Sequence, residues 1–154
     1  MNAPESEFIT TMHMTATGVS SERTDVRVRG IELTIDEPPE RGGANAGATP
    51  PETLLAALAG CTNRISHKIA QARGIQIADM TIEVEAAFDR RGVNLEKDVE
   101  IPLARVNLVI ELTTDADAQA IAALKSDLAK FCPISKILRQ AGTVIEEDWR
   151  IRRP

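Results

Sequence analysis

The longest hydrophobic periodicity lies mid-chain. Leu54, Leu58, Cys61, Ile65 and Ile69 recur at spacings of four, three, four and four, which lays an apolar stripe along one long helix. Thr49-Pro50-Pro51-Glu52 marks its start, with Thr as N-cap, proline in the first turn and Glu three residues on completing a capping box. Gly74, after Arg73, marks its stop. Ahead of this helix, Phe8 to Ile35 reads as short strands: Val26, Val28, Ile31, Leu33 and Ile35 alternate with polar residues, and Gly18 and Gly30 signal turns. Glu37 to Ala48, rich in Pro and Gly, reads as a loop draped over a site. After the helix, Met80, Ile82, Val84, Ala86 and Phe88 predict one half-buried strand, and Val106, Leu108, Ile110 and Leu112 a second. Ile121, Leu124, Leu128 and Phe131 predict an amphipathic helix starting near Asp115. Cys132-Pro133 interrupts it, a short helix resumes to Gln140, and Val144 to Ile151 forms a last strand. The predicted fold class is α+β, in the order β-β-β-α-β-β-α-α-β.

Composition narrows the possibilities. With 154 residues the chain is expected to be a single domain over 1–154, with 1–7 as a flexible tail. A net charge of -5 and only four aromatic residues (Phe8, Phe88, Phe131, Trp149) speak against nucleic acid, which needs a basic surface or a stacking platform. No apolar run reaches the roughly 18 residues that cross a bilayer, so no membrane partner is expected. The opening residues, Met1 to Glu7, lack the basic and apolar regions of a secretory signal. The expected compartment is therefore cytoplasmic, where a purely structural disulfide is out of place.

Two cysteines are then the candidate chemistry. In Phe131-Cys132-Pro133-Ile134-Ser135-Lys136, Pro133 suits the first helical position and leaves Cys132 at the N-cap. Unpaired N–H groups and the helix dipole there are expected to lower its thiol pKa; the alternative is a plain capping residue. Cys61 lies on the apolar stripe, where it reads equally as a small buried hydrophobe. Gly60 beside it suggests close approach of another backbone or a ligand, and Arg64, one turn on, offers positive charge. A Cys–His hydrolase finds no support, because His67 lies about 240° round the helix from Cys61 and His13 has no motif around it. The same four residues lack the spacing of a zinc site.

Two segments together resemble the OsmC/Ohr family, the osmotically inducible and organic-hydroperoxide-resistance proteins. They are Gly47 to Thr62 (GATPPETLLAALAGCT) and Phe131 to Leu138 (FCPISKIL). The resemblance implies an intertwined homodimer with active sites at the subunit interface, needing no cofactor and no metal. It places the peroxidatic cysteine at Cys61 and the resolving cysteine at Cys132, joined in a disulfide during turnover and reset by an unidentified dithiol reductant. It also implies an arginine from the N-terminal strands, for which Arg23 is the nearest candidate and Arg27 and Arg29 compete. The family's glutamate position falls on Pro51, with Glu52 one residue later. Nine helical residues from Glu52 to Cys61 give a rise of about 13 Å and a turn of about 180°, so a Glu52 acting at Cys61 should come from the partner subunit. Its other reading is the capping-box carboxylate. The expected function is a thiol-dependent peroxidase acting on organic hydroperoxides or hydrogen peroxide. The alternative is a homodimeric small-molecule-binding protein with little peroxidase turnover.

Overall fold

A computed structural model describes residues 8–154. The expected tail, residues 1–7, lies outside the described residues. The chain divides into two compact units, one ending at Thr53 and the other running from Leu54 to Pro154.

In the first unit, β1 (Thr15–Gly18), β2 (Thr24–Val28) and β3 (Ile31–Ile35) form an antiparallel meander in that order. Arg29 and Gly30, both at positive φ, make the turn between β2 and β3. Of the five alternating apolar residues here only Val26 is buried, whereas Ile31 remains 52% exposed. The Pro/Gly-rich segment after β3 is ordered round one carboxylate. Asp36, 1% exposed, accepts N–H groups from Glu37 at 2.9 Å, Ala44 at 3.1 Å and Ala46 at 2.9 Å. Those three bonds hold its carboxyl below the usual range, the one from Ala46 contributing most. Gly43 and Gly47 are required by close approach: a Cβ would stand 1.8 Å from Glu37 O and 1.9 Å from Thr34 O respectively.

The second unit carries most of α1 (Pro50–Arg73), whose first turn belongs to the unit before it. It continues with β4 (Asp79–Ala87), β5 (Arg105–Thr113), α2 (Ala118–Phe131), α3 (Pro133–Gln140) and β6 (Val144–Arg152). β5 is central, antiparallel to β4 and parallel to β6. The α+β class and the predicted element order therefore hold. α2 begins three residues later than the sequence suggests, because Asp117 rather than Asp115 caps it, accepting Ala120 N–H at 2.7 Å. Gly74, with φ of 68°, ends α1 as expected.

Val106, Leu108, Ile110 and Leu112 line one face of β5 and are buried throughout. The first three form a core cluster with Leu58, Leu103, Leu138 and Ile145. A second cluster joins Ile69, Ala70 and Ile75 with Leu124, Leu128 and Cys132. On α1 the buried line is Leu58, Thr62, Ser66, Ile69 and Ala70. The apolar stripe read from the sequence is thus rotated: Leu54 is 43% exposed, and Cys61 and Ile65 sit on the flank. Small hydroxyl residues can face a core that a count of apolar positions leaves out. No helix among the described residues is long and apolar enough to cross a membrane.

Candidate active site

Cys61 occupies the half-buried flank of α1, against the cluster that contains Cys132. Cys132 is the hinge residue where the C-cap of α2 and the N-cap of α3 coincide, because Pro133 breaks the first helix and opens the second. The two sulfurs lie 3.2 Å apart, although 71 residues of chain separate them. Both are free thiols. At that distance they are not bonded, yet a shift of roughly 1 Å would bring them to disulfide length. The arrangement can store and release two electrons.

The chemistry of Cys132 departs from the sequence expectation. Its cap position was expected to lower the thiol pKa; instead burial, at 0% exposure, pushes it up to about 11. The N–H groups of Ser135 and Ile134 pull the other way, and the neighbouring Cys61 sulfur adds to the rise. Ser135 and Ile134 face the sulfur without closing a capping bond to its side chain. Desolvation of the whole thiolate charge outweighs those dipoles.

The other expected site residues are engaged locally. Arg23 donates to Asp25 through Nε at 2.9 Å and Nη2 at 3.0 Å, and Asp25 also accepts from Thr34. Arg27 pairs with Glu32 at 2.7 Å. Arg29 serves the β2–β3 turn, and Arg64 is exposed on α1 with no ion pair among the described residues. Glu52 makes its half of the expected capping box, accepting from Thr49 N at 2.8 Å, while the Thr49 hydroxyl donates to the same carboxylate oxygen at 2.8 Å instead of accepting the Glu52 N–H. Those bonds lower its pKa, the backbone one most. A Cβ placed on Gly60 meets nothing within 4 Å, so the close neighbour that a mid-helix glycine suggested is not found among the described residues. His67 bonds back to Asn63 O at 2.9 Å, as a solvated helix residue does.

Sequence reasoning missed several residues around the thiols. Ser135 is buried at 5% exposure and accepts Arg139 Nε at 3.3 Å. Arg139 reaches Glu147 on β6 at 3.7 Å. Its only sequence signal was the serine three positions after the capping cysteine. An open groove of about 570 Å³ begins one turn from Cys61 at Ile65 and runs along Ile69, Ala72 and Phe131, with Lys68 and the Arg73–Asp127 pair also lining it. Among the described residues, no cluster of three His, Cys, Asp or Glu could hold a metal ion.

Solved structures similar to the chain share this fold. An OsmC-like protein from Mycoplasma pneumoniae aligns with a TM-score of 0.77 at 19% identity, over 92% of this chain and 97% of that one. An organic hydroperoxide resistance protein OsmC from Legionella pneumophila gives 0.63 at 16% identity, over 93% and 97%. The organic hydroperoxide resistance protein OhrB of Bacillus subtilis gives 0.59 at 19% identity, over 93% and 98%. A sequence comparison with curated proteins found no match. The OsmC family model, described as OsmC-like protein, matches residues 42–148, the span that holds both cysteines, α1, β4, β5 and the first half of β6. The chain belongs to the OsmC family.

Proposed function

We propose that the chain is a cysteine-based peroxidase that reduces organic hydroperoxides or hydrogen peroxide, with Cys61 as nucleophile and Cys132 as resolving thiol. The 3.2 Å approach of the two sulfurs carries this reading. The Cys61 thiolate attacks one peroxide oxygen and the O–O bond breaks. The other oxygen leaves as alcohol or water after taking a proton, and Cys61 becomes a sulfenic acid. Cys132 then attacks that sulfur; the S–S bond forms, the S–O bond breaks, and the hydroxyl departs as water with the proton Cys132 gives up. A dithiol supplies the two electrons and two protons that restore both thiols.

Burial of Cys132 supports the division of labour, since the more exposed sulfur meets the peroxide first. Relatives named for organic hydroperoxide resistance support the substrate class. In the same proposal Arg23 supplies the guanidinium that favours the thiolate, and Glu52 the carboxylate that holds it. The working unit is a cytoplasmic homodimer whose partner subunit covers exposed apolar residues such as Ile31, Phe131 and Ile137.

Purified protein mixed with cumene hydroperoxide and a dithiol should consume peroxide, and Cys61→Ser should abolish consumption. After one equivalent of oxidant, each chain should lose two hydrogens by mass, and Cys132→Ala should not. Equal rates in wild type and Cys61→Ser would overturn the proposal. They would favour the second reading, a small-molecule-binding protein with little turnover, for which the 570 Å³ groove is the supporting observation.

A further inference from the structure

Cys132 is the only residue between α2 and α3, so the angle between these helices sets where its sulfur lies. Cys61, by contrast, is fixed in the interior of a 24-residue helix. The backbone part of the roughly 1 Å that separates two facing thiols from a disulfide is most readily taken up at the Cys132 hinge. What holds that hinge is a chain of polar contacts. On α3, Ser135 Oγ accepts Arg139 Nε at 3.3 Å. The guanidinium then reaches Glu147 Oε1 on β6 at 3.7 Å, and the other carboxylate oxygen, Oε2, accepts Trp149 Nε1 at 2.9 Å. The Trp149 ring in turn carries Lys125 of α2, its Nζ 5.4 Å from the ring centroid. The two helices that meet at Cys132 are thus fastened to one strand, α3 at Glu147 and α2 at Trp149, and these two residues are bonded to each other.

We propose that Arg139 and Glu147 form a latch that positions Cys132 for disulfide closure with Cys61. They are positioning residues: neither touches the sulfurs, and they act through the N-terminal turn of α3. The inference deepens the peroxidase reading and rests on it for the peroxide experiment alone. The geometry suits a latch. The Arg139–Glu147 contact is the longest in the chain of hydrogen bonds and ion pairs, and Arg139 keeps 39% of its side chain in solvent. Such a contact can open and re-form without dismantling a core. Glu147, at 19%, is anchored more firmly by the indole.

Two measurements on the full chain test the latch separately from the peroxidase reading. The first equilibrates reduced protein with oxidised and reduced dithiothreitol. Cys61 opens the reagent disulfide to a mixed disulfide, Cys132 displaces the reagent as its dithiol, and the reagent carries away the two electrons. Arg139→Ala and Glu147→Gln should lower the equilibrium constant for the intramolecular disulfide by about tenfold, because loss of alignment lowers the effective concentration of one thiol at the other. Arg139→Lys, which keeps the charge, should restore most of it. The second measurement adds cumene hydroperoxide and reads, by mass, the share of Cys61 that ends as disulfide against sulfinic acid. The variants should shift that share toward sulfinic acid with no change in the first oxidation step.

If Arg139→Ala and Glu147→Gln lower the melting temperature but leave the dithiothreitol equilibrium at the wild-type value, the pair is only structural and the proposal falls. If Arg139→Lys behaves as Arg139→Ala, the charge-based latch falls as well. An unreactive wild type in the peroxide experiment would overturn the peroxidase reading, while the dithiothreitol equilibrium would still decide the latch.

Discussion

The raised pKa of Cys132 makes a quantitative claim about its reactivity. An ordinary cysteine thiol ionises near 9.0, and burial pushes Cys132 up to about 11. At pH 7.5 that difference leaves about 100-fold less thiolate than an unstructured cysteine has, and the thiolate is the species that alkylates. Limited alkylation with iodoacetamide at pH 7.5, read cysteine by cysteine by mass spectrometry, should therefore label Cys61 first. Cys132 should lag an unstructured reference peptide by about 100-fold or more, since zero exposure slows the reagent further. Its labelling rate should climb with pH until about 11. Cys61→Ser separates the causes. Burial leads the shift and the Cys61 sulfur only adds to it, so most of the protection should survive the substitution.

The same shift has a sign for stability. A thiol whose folded pKa exceeds its unfolded value favours the fold fully below about 9, and that contribution is lost as pH rises towards about 11. The stability of the reduced protein should therefore fall off less steeply with rising alkaline pH in Cys132→Ala. If Cys132 alkylates as fast as the reference peptide, the desolvation argument fails. If Cys61→Ser alone releases it, the neighbouring sulfur and not burial governs the site.

Two further outcomes concern the first unit. Gly47→Ala would put a Cβ 1.9 Å from Thr34 O, backbone that cannot swing aside, and should destabilise the protein by about 3 kcal/mol in urea unfolding; an unchanged midpoint would contradict the path of this loop. Asp36 has a depressed carboxyl pKa, so its hold on the loop is complete above the unfolded value and is lost as pH falls through the folded one. Limited proteolysis between Glu37 and Ala48 should therefore accelerate on acidification. Asp36→Asn should be cleaved faster at neutral pH and show a flatter pH response, and equal cleavage of the two proteins would refute the clasp.

What could be read from the sequence was whatever short range physics decides. The helix start at Thr49 with Glu52 reaching back to its N–H, the stop at Gly74 and the break at Cys132-Pro133 are each written in a few adjacent residues, and the structure has all three. Strand alternation in β4 and β5 was legible for the same reason. The rotated face of α1 was not, because Thr62 and Ser66 count as polar in any periodicity and only packing shows that they are buried. Ser66 Oγ has no partner among the described residues, a cost no sequence pattern announces. Resemblance to the OsmC/Ohr pattern named Cys61 and Cys132 together; spacing alone could not join residues 71 positions apart.

Cys132 shows why local reading gives the right atom and the wrong sign. Its cap position is a property of three consecutive residues, and cap dipoles do pull the pKa down. The opposing effect comes from Ile69 and Ala70 on α1 and from Leu124 and Leu128 on α2, whose packing excludes water from the sulfur. Two N–H dipoles offset part of a charge, whereas desolvation acts on all of it, so the contest is decided by residues remote in sequence. That outcome suits a resolving thiol. In the proposed cycle such a thiol would stay protonated and shielded from oxidant while Cys61 is reduced, and would react only once an electrophilic sulfur stood beside it. A cysteine ionised by its cap would instead compete for peroxide, and the two thiols would lose the order that a disulfide cycle needs.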